Sequence, residues 1–157
     1  MNIDFKIPHF HKSIITPFGD IYLSGGSNPD NIHVKLNKLY VVDFQYRTLN
    51  PMADMIVPRS SHCLCYMDGY IYAIGGISNK SQFTQKCERY EIVNDSWERI
   101  ADLNKSAVAS CCCSFNNRYI LKFGGIQSAE KLNRYIEMYD PEKNEWKLVD
   151  ANITESP

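Results

Sequence analysis

"MDGYIYAIGGISNK", Met67–Lys80, sets a run of apolar and tyrosyl residues directly before a glycine pair, Gly75-Gly76. The run Tyr70–Ile74 is apolar or aromatic at every position instead of at alternate ones, the pattern of a strand covered on both faces. Asp68-Gly69 ahead of it is hairpin-turn chemistry. A strand that ends on two bare residues forgoes packing there. The backbone must therefore be needed for turn conformations closed to other residues, or for the close approach of neighbouring chain.

The pair is not unique. Gly25-Gly26, Gly75-Gly76 and Gly124-Gly125 recur about every 50 residues, and Tyr40, Tyr90 and Tyr139 each follow their glycine pair at one common interval. Trp97 and Trp146 follow their tyrosines at a second common interval, and Pro8 with Pro58 and Gly19 with Gly69 keep the same register. The units run about 5–50, 51–101 and 102–149, with a tail at 150–157, so the whole chain, 1–157, reads as one repeat segment. A period near 50 suits a four-stranded propeller blade. In the second unit the strands fall at about 62–67, 70–74, 86–92 and 96–100, separated by Asp68-Gly69, by the loop after the glycine pair and by Asn94-Asp95. Asn116-Asn117 and Gly19-Asp20 take the place of the first turn in the other units. Stretches with helical periodicity are nearly absent, and the expected class is all-β, three four-stranded antiparallel blades.

A strand ending in Gly-Gly, a variable loop, then Glu-x-Tyr with Trp beyond it, as in "CERYEIVNDSW" (Cys87–Trp97) and "IEMYDPEKNEW" (Ile136–Trp146), resembles the kelch repeat. Arg59 also fits the kelch arginine that opens a unit. The first unit departs from the pattern: Lys38 stands at the offset of Glu88 and Glu137, Tyr46 near that of tryptophan and His9 opposite Arg59. The third has Val108 at the arginine offset. The resemblance implies a kelch β-propeller whose units begin on the strand lining the central channel and end at the outer edge. Propellers close with 4 to 8 blades, and an open sector of three would expose apolar blade faces. The expectation is that these blades belong to a larger propeller, or that the chain pairs with itself to complete a ring.

Chemistry is harder to find. The net charge of -1, from 17 basic and 18 acidic residues, aims no strong field at nucleic acid or membrane, and the basic residues are scattered among acids. No apolar run approaches the roughly 18 residues of a membrane span. Five of the six cysteines sit as Cys63-Leu64-Cys65 and Cys111-Cys112-Cys113 inside apparent strands, a poor disulfide framework. They read as small buried residues of a cytoplasmic protein. Cys63 and Cys112 fall at one repeat offset, which places them on neighbouring inner strands. His9 and His11 have a spacing that can ligate metal on one face of a strand but lack a third ligand, so no metal and no cofactor is expected. Glu88 and Glu137, repeated at one position, read as structural hydrogen-bonding groups.

The resulting expectation is a non-catalytic protein-interaction module, a rigid scaffold presenting loops of varied chemistry, "SNPDNIHVKLN" (Ser27–Asn37), "ISNKSQFTQK" (Ile77–Lys86) and "IQSAEKLN" (Ile126–Asn133). In kelch adaptors, target contacts come from residues just after each glycine pair and just after the kelch arginine. By resemblance these are Ser27, Ile77 and Ile126, then Ser60 and Ser61, with Phe10, His11, Ala109 and Ser110 as offset equivalents. The rim so formed is weakly charged, which does not favour an acidic target peptide. Ubiquitin-ligase substrate recruitment and cytoskeletal scaffolding both fit the resemblance. The alternative class is a kelch-type propeller enzyme acting on a sugar, an isomerase or oxidase.

Overall fold

A computed structural model describes residues 6–79, 82–128 and 131–149; the expected tail at 150–157 lies outside them. The turn and strand signals resolve into three four-stranded antiparallel sheets, each laid out in chain order. Blade 1 comprises Lys12–Ile15, Ile21–Ser24, Leu39–Asp43 and Thr48–Met52. Blade 2 comprises Cys63–Met67, Tyr70–Ile74, Cys87–Glu91 and Ser96–Ile100, and blade 3 Cys111–Phe115, Tyr119–Phe123, Ile136–Asp140 and Glu145–Val149. The first strands of neighbouring blades lie side by side. They are therefore the innermost strands of a partial β-propeller, and they line a groove of about 450 Å³ with Ile14, Leu64, Tyr66 and Cys112.

Residues opposite one another in an antiparallel pair share a face. Blade 2 is covered on both of its faces. Ile71 and Tyr90 meet Tyr22 and Leu39 of blade 1, while Cys63, Cys65, Met67, Tyr72 and Ile74 meet Ile120, Tyr139 and Trp146 of blade 3. Hence Ile71 to Ile74 are at most 1% exposed. One tyrosine pair marks each interface, Tyr22–Tyr90 and Tyr72–Tyr139, both with ring centres 6.1 Å apart. Among the described residues the end blades are covered on one face only, and their second strands alternate between buried and half-buried positions.

The segment joining two blades is held by the later one. Trp97 Nε1 donates to the Ala53 carbonyl at 2.9 Å, and Asp95 Oδ1 accepts from both the Ala53 amide and the Tyr90 hydroxyl. Blade 3 repeats the arrangement: Trp146 Nε1 donates to the Ala101 carbonyl at 3.0 Å, and Asn144 Oδ1 accepts from Ala101 N–H and Tyr139 O–H. Asp95 and Asn144 both sit in the left-handed region, φ 47° and 48°, where Asp and Asn are tolerated better than most residues. The recurring tyrosine and tryptophan are thus parts of a linker clamp.

Strand register corrects three repeat alignments. Tyr40 lies opposite Leu23, whereas Tyr90 lies opposite Ile71, the counterpart of Ile21. The first unit's loop is two residues longer, and a shift of two keeps the same face, so Tyr40 occupies the place of Glu88, and Val42 that of Tyr90. Leu49 pairs with Val42 as Trp97 does with Tyr90, so the tryptophan position belongs to Leu49, while Tyr46 sits in the preceding turn. In blade 3 the first hairpin turns through Asn116, Asn117 and Arg118, one residue more than Asp68-Gly69, which sets Cys111 opposite Phe123 as Cys63 is opposite Ile74. The counterpart of Cys63 is therefore Cys111. Cys112 points back at blade 2.

Candidate functional site

Each glycine pair delivers the chain into a short hairpin at one rim: Ser27–Asn28 with Asn31–Lys35, Ile77–Ser78 with Gln82–Phe83, and Ile126–Ser128 with Lys131–Leu132. The first residue of each pairs with the segment leading into its blade: Ser27 with His9, Ile77 with Ser60, Ile126 with Val108. The structure thus joins the residues after the glycines to those entering the inner strands. It also explains the glycines. A methyl group on Gly76, φ +98°, would stand 2.6 Å from the Ser60 carbonyl oxygen, and one on Gly25 2.4 Å from that of Arg59 in the next blade.

One residue further on, Phe10, Ser61 and Ala109 all adopt left-handed backbone, φ 57°, 53° and 53°. None is glycine, and such conformations concentrate at ligand clamps and switch regions. They are linked across blades: Ser61 N–H donates to the Phe10 carbonyl at 3.0 Å, and Ala109 N–H to that of Ser61 at 3.4 Å. Phe10, 64% exposed, leads this row at the mouth of the channel.

The predicted rim residues divide by exposure. Phe10, Ala109 and Ile126 are exposed; His11, Ser61, Ile77 and Ser110 are half-buried. Ser27 and Ser60 are buried, 0% and 1% exposed, because their backbones close the rim hairpins against the entering segments. These two are corrected from partner contacts to framework. Reading outward from the glycines missed Ile32, Val34 and Leu132, exposed apolar side chains on the hairpins' return strands. Their signal was apolar residues at alternate positions of the polar stretch Asn31–Lys35, and an apolar residue on the two-residue strand Lys131–Leu132. Between the second and third hairpins lies a polar groove of about 400 Å³, walled by Gln85, Asn104, Lys105, Gln127 and Lys131.

Beneath the rim, Arg59 is fully buried. Its Nη1 donates to the carbonyls of Gly75 at 2.7 Å and Lys86 at 2.6 Å, and Nη2 to Glu88 Oε1 at 2.8 Å. Glu88 in turn accepts from the amides of Ile56 and Val57 in the linker. Blade 3 solves the same problem from another strand. Pro8 and Ala107, one residue before His9 and Val108, stand where Arg59 does; Lys122 takes the place of Ala73, donates to the Gly124 carbonyl at 3.1 Å and faces Glu137 at 3.9 Å. Burial lowers the pKa of the Lys122 ammonium, with Glu137 opposing. His9 and Val108 are therefore not the arginine equivalents.

His62, also fully buried, hydrogen-bonds through Nε2 to Ser24 Oγ at 2.7 Å, and its Nδ1 has no partner among the described residues. Burial first, then the Arg59 and Lys12 charges, hold its pKa well below the usual range, so it folds neutral. Below about pH 6.5 the unfolded chain gains a proton that the native state refuses, so stability falls with pH. The urea midpoint should drop between pH 7.5 and 5.5, and His62→Gln should flatten that drop.

The cysteines are all free thiols. The hydrogen bond that the Cys63 thiol donates to Cys112, together with burial, raises its pKa far above the ordinary range, and burial pushes Cys87 up to about 12. Among the described residues no group of three or more His, Cys, Asp or Glu is placed to hold a metal ion, and no helix is long and apolar enough to cross a membrane. His9 and His11 flank the left-handed Phe10, off any regular strand, and His11 Nδ1 hydrogen-bonds the Pro8 carbonyl at 2.9 Å.

Comparison with known proteins agrees with this geometry. Human Kelch repeat and BTB domain-containing protein 2 is 34% identical across 59% of this chain, which covers 18% of that protein. Zebrafish (Danio rerio) Kelch-like protein 15 is 38% identical across 50% of the chain and 13% of its own length. The F-box/kelch-repeat protein SKIP30 of Arabidopsis thaliana is 27% identical across 68%, covering 33% of it. The chain spans a third or less of the length of each of these relatives. The Kelch motif model matches residues 58–104 and 107–150, the second and third blades with their linkers, together more than half of the chain. With its three antiparallel blades, glycine pairs and clamped linkers, the chain belongs to the kelch-repeat family.

Proposed function

We propose that the glycine-pair rim is a protein-binding surface and that this segment is the target-holding part of a non-catalytic adaptor. The observation that carries the reading is the set of exposed apolar side chains on the rim, Phe10, Ile32, Val34, Ile126 and Leu132, beside the polar groove between the second and third hairpins. Apolar anchors next to polar groups are what interface cores and rims are made of. A rigid blade scaffold beneath them keeps the ordering cost of binding low. Relatives whose names join kelch repeats to a BTB or an F-box domain support an adaptor role. The packed free thiols Cys63, Cys65 and Cys112 suit a reducing compartment such as the cytoplasm.

The test is a pair of variants on the rim. Phe10→Ser with Leu132→Ser should weaken capture of the protein partner by tenfold or more, about 1.4 kcal/mol, with the melting temperature unchanged. Undiminished capture by this double variant would remove the rim from the reading.

A further inference from the structure

We propose that Cys112 is an oxidation site, and that it closes a disulfide with Cys63 which straps the innermost strand of blade 3 to that of blade 2. Register brings the thiols together. Cys63 lies opposite Ile74 and Cys111 opposite Phe123, so Cys112 stands level with Leu64, between Cys63 and Cys65. Those two share one face of their strand, the face turned to blade 3, and Cys112 packs against the same cluster. The three sulfurs form a chain of contacts: the Cys63 thiol donates to Cys112, and the Cys112 thiol to Cys65. Two neighbouring blades thus hold free thiols against each other across their junction.

Access singles out Cys112. It is half-buried, whereas Cys63 and Cys65 are each 4% exposed. It also stands in the wall of two grooves, one of about 450 Å³ shared with Cys65 and Tyr66, the other of about 180 Å³ shared with Cys63, His62 and Ser110. A small reagent therefore meets its sulfur first. The second attack falls to Cys63. The Ser110 hydroxyl hydrogen-bonds its sulfur and the buried Lys122 ammonium lies near it, and both favour negative charge there. Cys87, fully buried, instead donates to the Gln85 carbonyl at 3.5 Å.

The oxidant is a small-molecule disulfide, RSSR. Cys112 gives its proton to solvent, its sulfur attacks RSSR, and the RS⁻ that leaves takes up a proton as RSH. The Cys63 sulfur then attacks the mixed disulfide on Cys112 and expels the second RS⁻, which departs as RSH with the proton of Cys63. Two protein thiols are oxidised by two electrons, and RSSR is reduced to two RSH. Cys63 and Cys112 both rest protonated, so the exchange is slow at neutral pH.

The test uses the full native chain carrying Cys111→Ser and Cys113→Ser, which removes the two exposed thiols, incubated with glutathione disulfide at mildly alkaline pH. Alkylation in denaturant should then label two thiols fewer than in the untreated chain, with full labelling restored by dithiothreitol. A non-reducing peptide map should join the peptide of Cys63 to that of Cys112. Added Cys112→Ser or Cys63→Ser, each folded by circular dichroism, should abolish the bridge, and added Cys65→Ser should leave it. Unchanged labelling, or glutathione adducts that never resolve into a bridge, would overturn the proposal. So would a bridge that survives Cys63→Ser or is lost with Cys65→Ser.

Discussion

Arg59→Ala should cost the chain about 3–5 kcal/mol of stability, the range seen when one partner of a buried ion pair is removed. Both side chains of the pair are inaccessible to solvent. Without the guanidinium, Glu88 keeps its charge in the interior with only the amides of Ile56 and Val57 to solvate it. The carbonyls of Gly75 and Lys86 lose their side-chain donor in the same step. Urea denaturation monitored by tryptophan fluorescence reads the loss directly. Arg59→Met combined with Glu88→Gln should recover much of it, since a buried pair replaced whole is often neutral. A loss under 1 kcal/mol for the single variant would mean that the pair is effectively solvated. The equivalent position of blade 1 shows that charge is not obligatory there: Pro8, Leu23 and Tyr40 occupy it.

Trp146→Ala should be nearly as severe, about 3–5 kcal/mol for an aromatic removed from a packed site. Trp146 is 6% exposed, lies 5.1 Å from the Tyr139 ring and holds the Ala101 carbonyl through Nε1. Trp146→Phe keeps most of the apolar contact and deletes that hydrogen bond, so it should cost less, with roughly 1 kcal/mol from the bond itself. Amide exchange separates the two contributions. In the phenylalanine variant, protection should fall at Ala101, whose N–H donates to Asn144 Oδ1, and persist in the blade 3 strands. Uniform loss across blade 3 would show that the indole acts only through packing.

The glycine pairs were legible because their demand is local: positive φ and a neighbouring carbonyl too near for a Cβ. The tyrosine and tryptophan positions of blades 2 and 3 were legible because the loops before them have equal length. Tyr40 was not. Two extra loop residues slide the third strand by one full period of side-chain alternation, so the hydrophobic pattern stays intact while every partner changes. Cys63 and Cys112 were misaligned by a single extra turn residue, and that reverses which face a side chain takes. Lys122 was invisible as a stand-in for arginine, since the replacement enters from a different strand and only spatial proximity to the Gly124 carbonyl reveals it. At the rim, sequence offset found the exposed Phe10 and Ile126 but could not separate them from Ser27 and Ser60, whose burial depends on a pairing between distant segments.

The linker clamp carries a practical consequence for anyone cutting or grafting this protein. Because Ala53 is gripped by Trp97 and Asp95, and Ala101 by Trp146 and Asn144, the transferable module does not start at a blade's first strand. It starts at the alanine: Ala53 to Ile100 moves as one piece. A cassette swapped at Cys63 instead would hand each recipient a donor indole facing a foreign peptide.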